Sequence, residues 1–352
     1  MVPTVSIIIP VHNGADFLAA CLEHVAKLTP APLECVVVDD GSRDASMDVA
    51  RRAGVKLVSS GGRRGPACAR NLGARAAKGD ILFFLDADVL VRPDALARVL
   101  AHFVEDPSLD AVIGSYDDEP GSPDFVSQYR NLLHCFIHQS SREETCTFWT
   151  ACGAIRRQVF LEQGGFCETY TRPCIEDIEL GCRLRRAGKK IRLDKTLQVK
   201  HLKRWRFWQV LRIDLFDRAV PWTLLILRAR SMPVDLNLRW EHRFSVLTLF
   251  AVVGALTLQS VLALATDLSL LPWSYWTGVV AAFVLLLVAL NFRFYRFLAK
   301  RKGFWFTLRA FPLHCLHFFS SGLGFTLGLL LHVGRSQAPC PAPKPRAFVQ
   351  SD

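Results

Sequence analysis

The stretch "DILFFLDADVL" (80–90) is an apolar run, Ile81 to Leu85, stopped by two carboxylates one residue apart. A short apolar run without polar alternation suits a strand buried on both faces, as in a parallel sheet covered by helices. Asp86 and Asp88 cannot follow it into the core without partners, so they mark the strand's carboxyl tip. Working outward, "VSIIIP" (5–10) is a buried strand ended by proline, and "LECVVV" (33–38) is a strand stopped by "DDGS". "VKLVSS" (55–60) is a further short strand. Between the strands, "FLAACLEHVAKL" (17–28) has helical spacing of Phe17, Leu18, Cys21, Leu22 and Val25. "DASMDVARRAG" (44–54) is a helix with a glycine stop, and "PACARNLGARAAKG" (66–79) is a helix with proline at its start and glycine at its end. This alternation predicts an α/β domain with a mainly parallel sheet and helices on both faces. Ligands then bind at the carboxyl ends of the strands.

Pro10, His12 and Asn13 follow the first strand, Asp39 and Asp40 the second, Asp86 and Asp88 the fourth. All are expected on one rim. No GxGxxG follows the first strand, which weighs against a dinucleotide oxidoreductase, and "GGRRGPACARN" lacks the GK[ST] ending of a P-loop. Clustered acids repel one another unless some are protonated or a cation joins them. Oxygen-rich sites suit Mg²⁺ or Mn²⁺, hard ions that bridge to substrate phosphates. The rim therefore points to a divalent ion carrying a diphosphate.

A second group of acids lies in "RPCIEDIELGCRLRRAGKK" (172–190), a helix that turns Ile178, Leu180, Gly181 and Leu184 inward. Glu176 and Asp177 stand at its start, where the helix dipole favours carboxylates. They either serve the dipole or do chemistry. "FWTACGAIRRQVFLEQGGF" (148–166) offers a further wall for a ligand. Trp149 can stack on a ligand or pack in the core, and small Ala151, Cys152 and Gly153 permit close approach.

The 352 residues carry a formal charge of +11. After Ser245 come "SVLTLFAVVGALTLQSVLALAT" (245–266) and "YWTGVVAAFVLLLVALNF" (275–292), uncharged and long enough to span a bilayer. "FPLHCLHFFSSGLGFTLGLLLHV" (311–333) is a third span or an interfacial helix. The loop expected between the second and third holds Arg293, Arg296, Lys300, Arg301, Lys302 and Arg309, whereas "DLSLLPWS" (267–274) has no Lys or Arg. The positive-inside rule places residues 293–309, and with them the N-terminal domain, in the cytoplasm, at the plasma (inner) membrane. The N-terminus lacks the pattern of a cleavable signal peptide. The eleven cysteines form no CxxC pair and read as free thiols in a reducing compartment. Residues 203–243 mix Lys and Arg with Trp205, Phe207, Trp208, Leu211, Leu215 and Phe216, an amphipathic pattern suited to lipid headgroups. With spans following directly, the positive charge reads as attraction to anionic lipid and anionic ligands, not to nucleic acid. The Pro-rich tail, 335–352, is expected to be disordered.

Five of these stretches occur in a telling order: "VSIIIPVHNGADFLAACLEHV", "VVVDDGSRDAS", "GPACARNLGARAAKGDILFFLDAD", "TACGAIRRQVFLEQGGF" and "IEDIELGCRLRRAG". Together they resemble the family 2 glycosyltransferases of the GT-A fold, a Rossmann-like α/β fold, over about residues 3–202. The resemblance implies that Pro10 and His12 lie at the nucleotide base, where the family usually has an aromatic residue. Asp40 would bond the base, with Asn13 and Asp39 beside it on the donor rim. Arg70 would lie near the diphosphate, Asp86 would face the ribose or sugar, and Asp88 would bind Mg²⁺ or Mn²⁺. His201 is similar to a metal or diphosphate contact of some members. Asp177 would be the catalytic base and Glu176 its orienting or acceptor-touching neighbour, with Trp149, Cys152 and Gly153 on the expected acceptor side.

The sequence thus reads as residues 1–202 catalytic, 203–243 at the membrane interface and 244–334 transmembrane. The expected activity is inverting transfer of a sugar from a UDP- or GDP-linked donor to a lipid-linked, glycan or other membrane-near hydroxyl acceptor. Three alternatives stand beside it. A polyprenyl-phosphate glycosyltransferase needs no base, because its acceptor is already ionised. Processive polysaccharide synthases of the family usually carry QxxRW, where this chain has "QVLRI" (209–213) with Ile213 in place of Trp. A non-catalytic nucleotide-sugar receptor would not need intact DAD and ED motifs.

Overall fold

The structure is a computed structural model, and it describes residues 2–229, 239–266 and 272–333. The tail expected to be disordered, and most of the 267–274 loop, lie outside the described residues. The chain divides after Arg206 into two compact units, taken here in turn.

The first unit opens with β1 (Val5–Val11), α1 (Ala15–Val25), β2 (Glu34–Asp39), α2 (Ser46–Arg52), β3 (Lys56–Ser59), α3 (Pro66–Ala76) and β4 (Ile81–Leu85). It continues through β5 (Val89–Val91), α4 (Ala95–Glu105), β6 (Ala111–Tyr116), α5 (Phe125–Ser140), β7 (Cys152–Arg156), α6 (Arg157–Glu162), α7 (Glu176–Arg186) and β8 (Ile191–His201). One eight-stranded sheet results, in the order β3-β2-β1-β4-β7-β6-β8-β5. The apolar runs behave as their composition demands: Ile7, Ile8, Ile9, Val36, Val37, Val38, Phe83 and Phe84 have no exposed surface.

β1, β2, β3 and β4 pair in parallel, as expected, and so do β6 and β8. β7 runs antiparallel to both β4 and β6, and β5 antiparallel to β8, so the sheet is more mixed than the opening alternation implies. The added strands are short or rich in small residues, and neither feature announces a direction. Phe84 anchors the layer beneath the sheet, its ring 5.3 Å from Phe160, 5.4 Å from Phe166 and 6.1 Å from Phe148. Truncating such a ring to alanine costs about 3–5 kcal/mol.

The second unit begins with α8 (Phe207–Arg212), a π-helical segment (Ile213–Ala219) and α9 (Val220–Ala229). Trp208 and Phe216 stay 77% and 55% exposed. Four helices follow: α10 (Trp240–Thr266), α11 (Trp273–Leu290), α12 (Phe292–Lys302) and α13 (Phe304–Val333). α10 and α13 are long and apolar enough to cross a membrane, and α11 with α12 make a third candidate that bends by 74° at Asn291. Here the structure corrects the expected 293–309 loop: residues 292–302 are helical, and α13 starts seven residues before the apolar stretch it was expected to match. Phe294, Tyr295 and Leu298 form the buried face of α12, while Arg293, Arg296, Lys300, Arg301 and Lys302 are exposed. That pattern is amphipathic and helical, so the basic stretch folds instead of looping.

Candidate active site

Three loops build the rim. After β1, Asn13 takes a left-handed backbone (φ 51°), which asparagine tolerates well. Its amide nitrogen donates to Ser42 Oγ at 3.0 Å, and its side-chain oxygen accepts from Arg43 N at 2.8 Å. Asp39 Oδ1 accepts from Ser42 N at 3.0 Å. Asn13 and Asp39 therefore hold the "DDGS" turn in place. Gly41 in that turn has φ 74°, and a Cβ there would strike the backbone of Gly62 and Arg63. His12 Nδ1 lies 2.8 Å from the Asp40 carbonyl oxygen, which fixes the imidazole at the mouth between β1 and β2.

Asp40 is buried and its carboxylate ties down the glycine-rich loop before α3. Oδ1 accepts from Ser60 Oγ (2.9 Å) and Arg64 N (2.8 Å), and Oδ2 from Gly65 N (2.8 Å). One carboxylate has about four acceptor positions, so room for one further donor remains.

Arg70 departs most from its expected place at a diphosphate. It is 5% exposed, on α3, with both terminal nitrogens engaged and Nε buried without a partner among the described residues. Nη2 donates to Asp86 Oδ1 at 2.7 Å and Nη1 to Glu176 Oε1 at 2.9 Å, with the Phe166 ring 5.7 Å from the charge. The two acidic motifs, far apart in sequence, thus share one arginine. Glu176 is also buried, and its second oxygen accepts from Cys174 N at 2.8 Å. Its carboxylate serves this bridge, which makes it a positioning group. Asp177, the next residue, is partly exposed and opens α7 with its Oδ1 accepting from Ile178 N at 2.8 Å. The neighbouring Asn71 was not singled out by sequence reasoning. It grips the backbone of Phe166, donating to its carbonyl and accepting from its N–H at 2.8 Å each. The adjacent Arg and Asn of "ARN", on a helix of mostly small residues, are the sequence signal for either role.

Asp88 and His201 meet because β5 and β8 pair in register, Val89 opposite His201. His201 Nε2 lies 3.6 Å from Asp88 Oδ2. Burial opposes the Asp88 charge, but the neighbouring His201 and Lys203 outweigh it and lower its carboxyl below the ordinary range. His201 is 5% exposed and stacks on Tyr116 at 4.5 Å and 18°. Among the described residues no third His, Cys, Asp or Glu joins this pair. A carboxylate and an imidazole still fit a divalent ion that keeps waters and takes substrate phosphate oxygens as its other ligands.

The acceptor-side expectation is corrected. Cys152 is fully buried in β7, and burial pushes its thiol far above the usual range. Gly153 is glycine because a Cβ would enter the Trp149 carbonyl. Both belong to the sheet. Trp149 is 7% exposed, edge-on to Tyr116 at 4.7 Å and to His138 at 4.8 Å. It reaches the site through Tyr116, which carries His201. Cys167 is disulfide-bonded, which departs from the expectation of free thiols throughout.

Comparison with known proteins decides the class. Residues 6–165 match the family model "Glycosyl transferase family 2". The first unit carries a family 2 glycosyltransferase domain. Among curated proteins, the validoxylamine A glucosyltransferase of Streptomyces hygroscopicus subsp. limoneus is 32% identical over 228 residues, covering 53% of this chain and 49% of that protein. The glycosyltransferase GlyG of Streptococcus pneumoniae serotype 4 is 31% identical over 117 residues, covering 32% of this chain and 38% of its own. The chain thus spans about half, or less, of the length of these curated relatives. The mannosyltransferase PcManGT of Pyrobaculum calidifontis, solved with GDP-Man and Mn²⁺, superposes with a TM-score of 0.63 at 21% identity. That likeness covers 92% of this chain and 87% of the other, and it establishes the fold: the catalytic domain is GT-A, with C-terminal helices beyond it.

Proposed function

We propose that this protein is a membrane-anchored inverting glycosyltransferase. It would move one sugar from a UDP- or GDP-linked donor to a hydroxyl on a lipid-linked or membrane-near acceptor. The observation that carries the reading is the Arg70 bridge between Asp86 and Glu176. It brings the strand-tip acids and the start of α7 together, so that donor-binding and proton-accepting groups share one site.

The roles follow from the surroundings of each group. Pro10, His12 and Asp40 line the mouth for the base, with Asn13 and Asp39 shaping it. Asp86, 31% exposed and steadied by Arg70, faces the ribose or sugar. Asp88 and His201 would hold Mn²⁺ or Mg²⁺, which neutralises charge on the departing diphosphate. The imidazole favours Mn²⁺ over Mg²⁺. Asp177 is the base: direct displacement at the anomeric carbon needs a carboxylate to take the acceptor hydroxyl's proton. Glu176 and Arg70 fix the helix turn from which it acts. Mn²⁺ and GDP-Man in the mannosyltransferase of the same fold support the donor and metal assignments.

The apolar helices of the second unit support a membrane anchor, and exposed apolar side chains such as Leu247 (64%) and Leu264 (88%) suit a lipid surround. The basic face of α12 would lie on the cytoplasmic side, with the catalytic domain, at the inner membrane.

Asp177→Asn tests the assignment. The substitution keeps size and most hydrogen bonds but cannot accept a proton. Turnover is expected to fall roughly 10²–10⁴-fold with donor affinity nearly unchanged. Near-normal transfer to a hydroxyl acceptor by the folded variant would remove Asp177 from catalysis and turn the proposal towards an acceptor that is already ionised, such as a lipid phosphate.

A further inference from the structure

α12 turns away from α11 by 74°, and its two long sides differ in kind. Phe294, Tyr295 and Leu298 are buried, and the first two pack on α13. Tyr295 Oη lies 2.9 Å from His314 Nδ1, and the Phe294 ring lies 4.7 Å from the His314 ring. Arg293, Arg296 and Lys300 are exposed, and their spacing of three and then four residues puts them in one stripe. At about 3.6 residues per turn that stripe lies opposite the buried face. α12 and α13 contain no Asp or Glu, so neither helix supplies a counter-charge. Exposed aromatic side chains stand at both ends of α12, Phe292 at one and Phe304 and Trp305 just past the other.

We infer that α12 lies along the bilayer surface and docks the anionic headgroups of membrane phospholipids on Arg293, Arg296 and Lys300. Five Lys or Arg in eleven residues are too costly at the bilayer centre, so α12 is not the second half of a broken span. α11, with 18 residues, then crosses without it, and a helix bent by 74° from a span runs close to the membrane plane. A helix in that plane meets headgroups along its whole length. Its packed side is held by α13, which leaves the basic stripe as the free side. Phospholipid phosphates complement such a stripe, and arginine matches phosphate geometry well. The aromatic ends select a bilayer over a soluble acidic partner, because indole and phenyl rings settle at headgroup depth. This inference rests on the membrane reading of the second unit. It adds a lipid partner and the residues that hold it, and it does not depend on which sugar or acceptor the catalytic domain uses.

The test uses the full chain purified in a neutral detergent and titrated with dioleoyl phosphatidylglycerol or dioleoyl phosphatidylcholine, with bound lipid counted by native mass spectrometry. Each basic side chain near an anionic surface contributes roughly a fivefold gain, so three should make phosphatidylglycerol bind at least tenfold tighter. Arg293→Gln/Arg296→Gln/Lys300→Gln should remove most of that preference while leaving thermal unfolding unchanged, because all three side chains are exposed. Lys27→Gln/Arg51→Gln/Arg52→Gln removes the same charge from exposed positions of the first unit and should keep the preference whole. Equal binding of the two lipids by wild type, or full preference in the folded α12 variant, would overturn the stripe as the site. Equal loss in both triple variants would reduce it to net charge, and displacement of the lipid by millimolar inorganic phosphate would overturn the bilayer as the source. Incorporation into phosphatidylcholine nanodiscs, run on the same protein, separates the readings. A chain that incorporates but shows no headgroup preference sinks this inference alone, whereas a chain that stays out of the nanodiscs sinks the membrane reading beneath it.

Discussion

Replacing Arg70 with methionine probes the joint between the tip of β4 and the start of α7. The methionine fills much of the arginine's volume but withdraws the charge from Asp86 and Glu176. The two acids should respond differently. The Asp86 side chain is 31% exposed and can turn to water, so its loss costs little. The Glu176 side chain is 5% exposed and keeps only the Cys174 N–H as a partner. Stranding one member of a buried ion pair costs about 3–5 kcal/mol. At about 2–4 °C per kcal/mol for a domain of this size, the melting temperature should drop by roughly 6–20 °C. The assay is thermal unfolding of the detergent-purified chain, beside Glu176→Gln and the double variant. If Glu176 is the stranded charge, the double variant should be more stable than the sum of the single losses allows, by about 0.5–3 kcal/mol. An Arg70→Met protein melting within 2 °C of wild type, or strict additivity in the double variant, would refute the bridge as a structural joint.

Two further outcomes are expected. Asp117 is buried after β6, which pushes its carboxyl up to about 6 from an ordinary 3.8. The folded state therefore holds a proton that the unfolded chain has lost between these values, and the stability this provides is full below pH 4 and gone above pH 6. Asp117→Asn removes the ionisation and still accepts from Glu119 N, so it should gain about 3 kcal/mol at pH 7.5 and nothing at pH 4; chemical denaturation at the two pH values checks this. A cysteine placed among the exposed basic residues of α12 should resist membrane-impermeant thiol reagents in intact cells; ready labelling there would reverse the proposed orientation.

The acidic strand tips were legible because apolar runs end in acids at β2 and β4, and a carboxylate cannot enter a core alone. Asp88 and His201 were legible as separate residues, but their meeting depends on the β5–β8 register, and a three-residue strand leaves no periodic trace. The Arg70–Glu176 pair joins positions 106 residues apart, so nothing local reveals it. Trp149, Cys152 and Gly153 misled for a different reason: aromatic and small residues serve a packed sheet as readily as a sugar-binding wall. The break at Asn291 was hidden because Lys and Arg suit both loops and helices. The spacing of Phe294, Tyr295 and Leu298 was the overlooked mark of a buried helical face.

The strand-tip site is proposed to bind a nucleotide-sugar through a metal held by Asp88. Its most direct test is release of nucleoside diphosphate from a panel of UDP- and GDP-sugars by the purified full chain, with Mn²⁺ and after chelation, beside Asp88→Ala. Wild type should release diphosphate from at least one donor only with the ion present, and Asp88→Ala should fall to background while remaining folded. Equal release by Asp88→Ala, or by the chelated wild type, would contradict the claim.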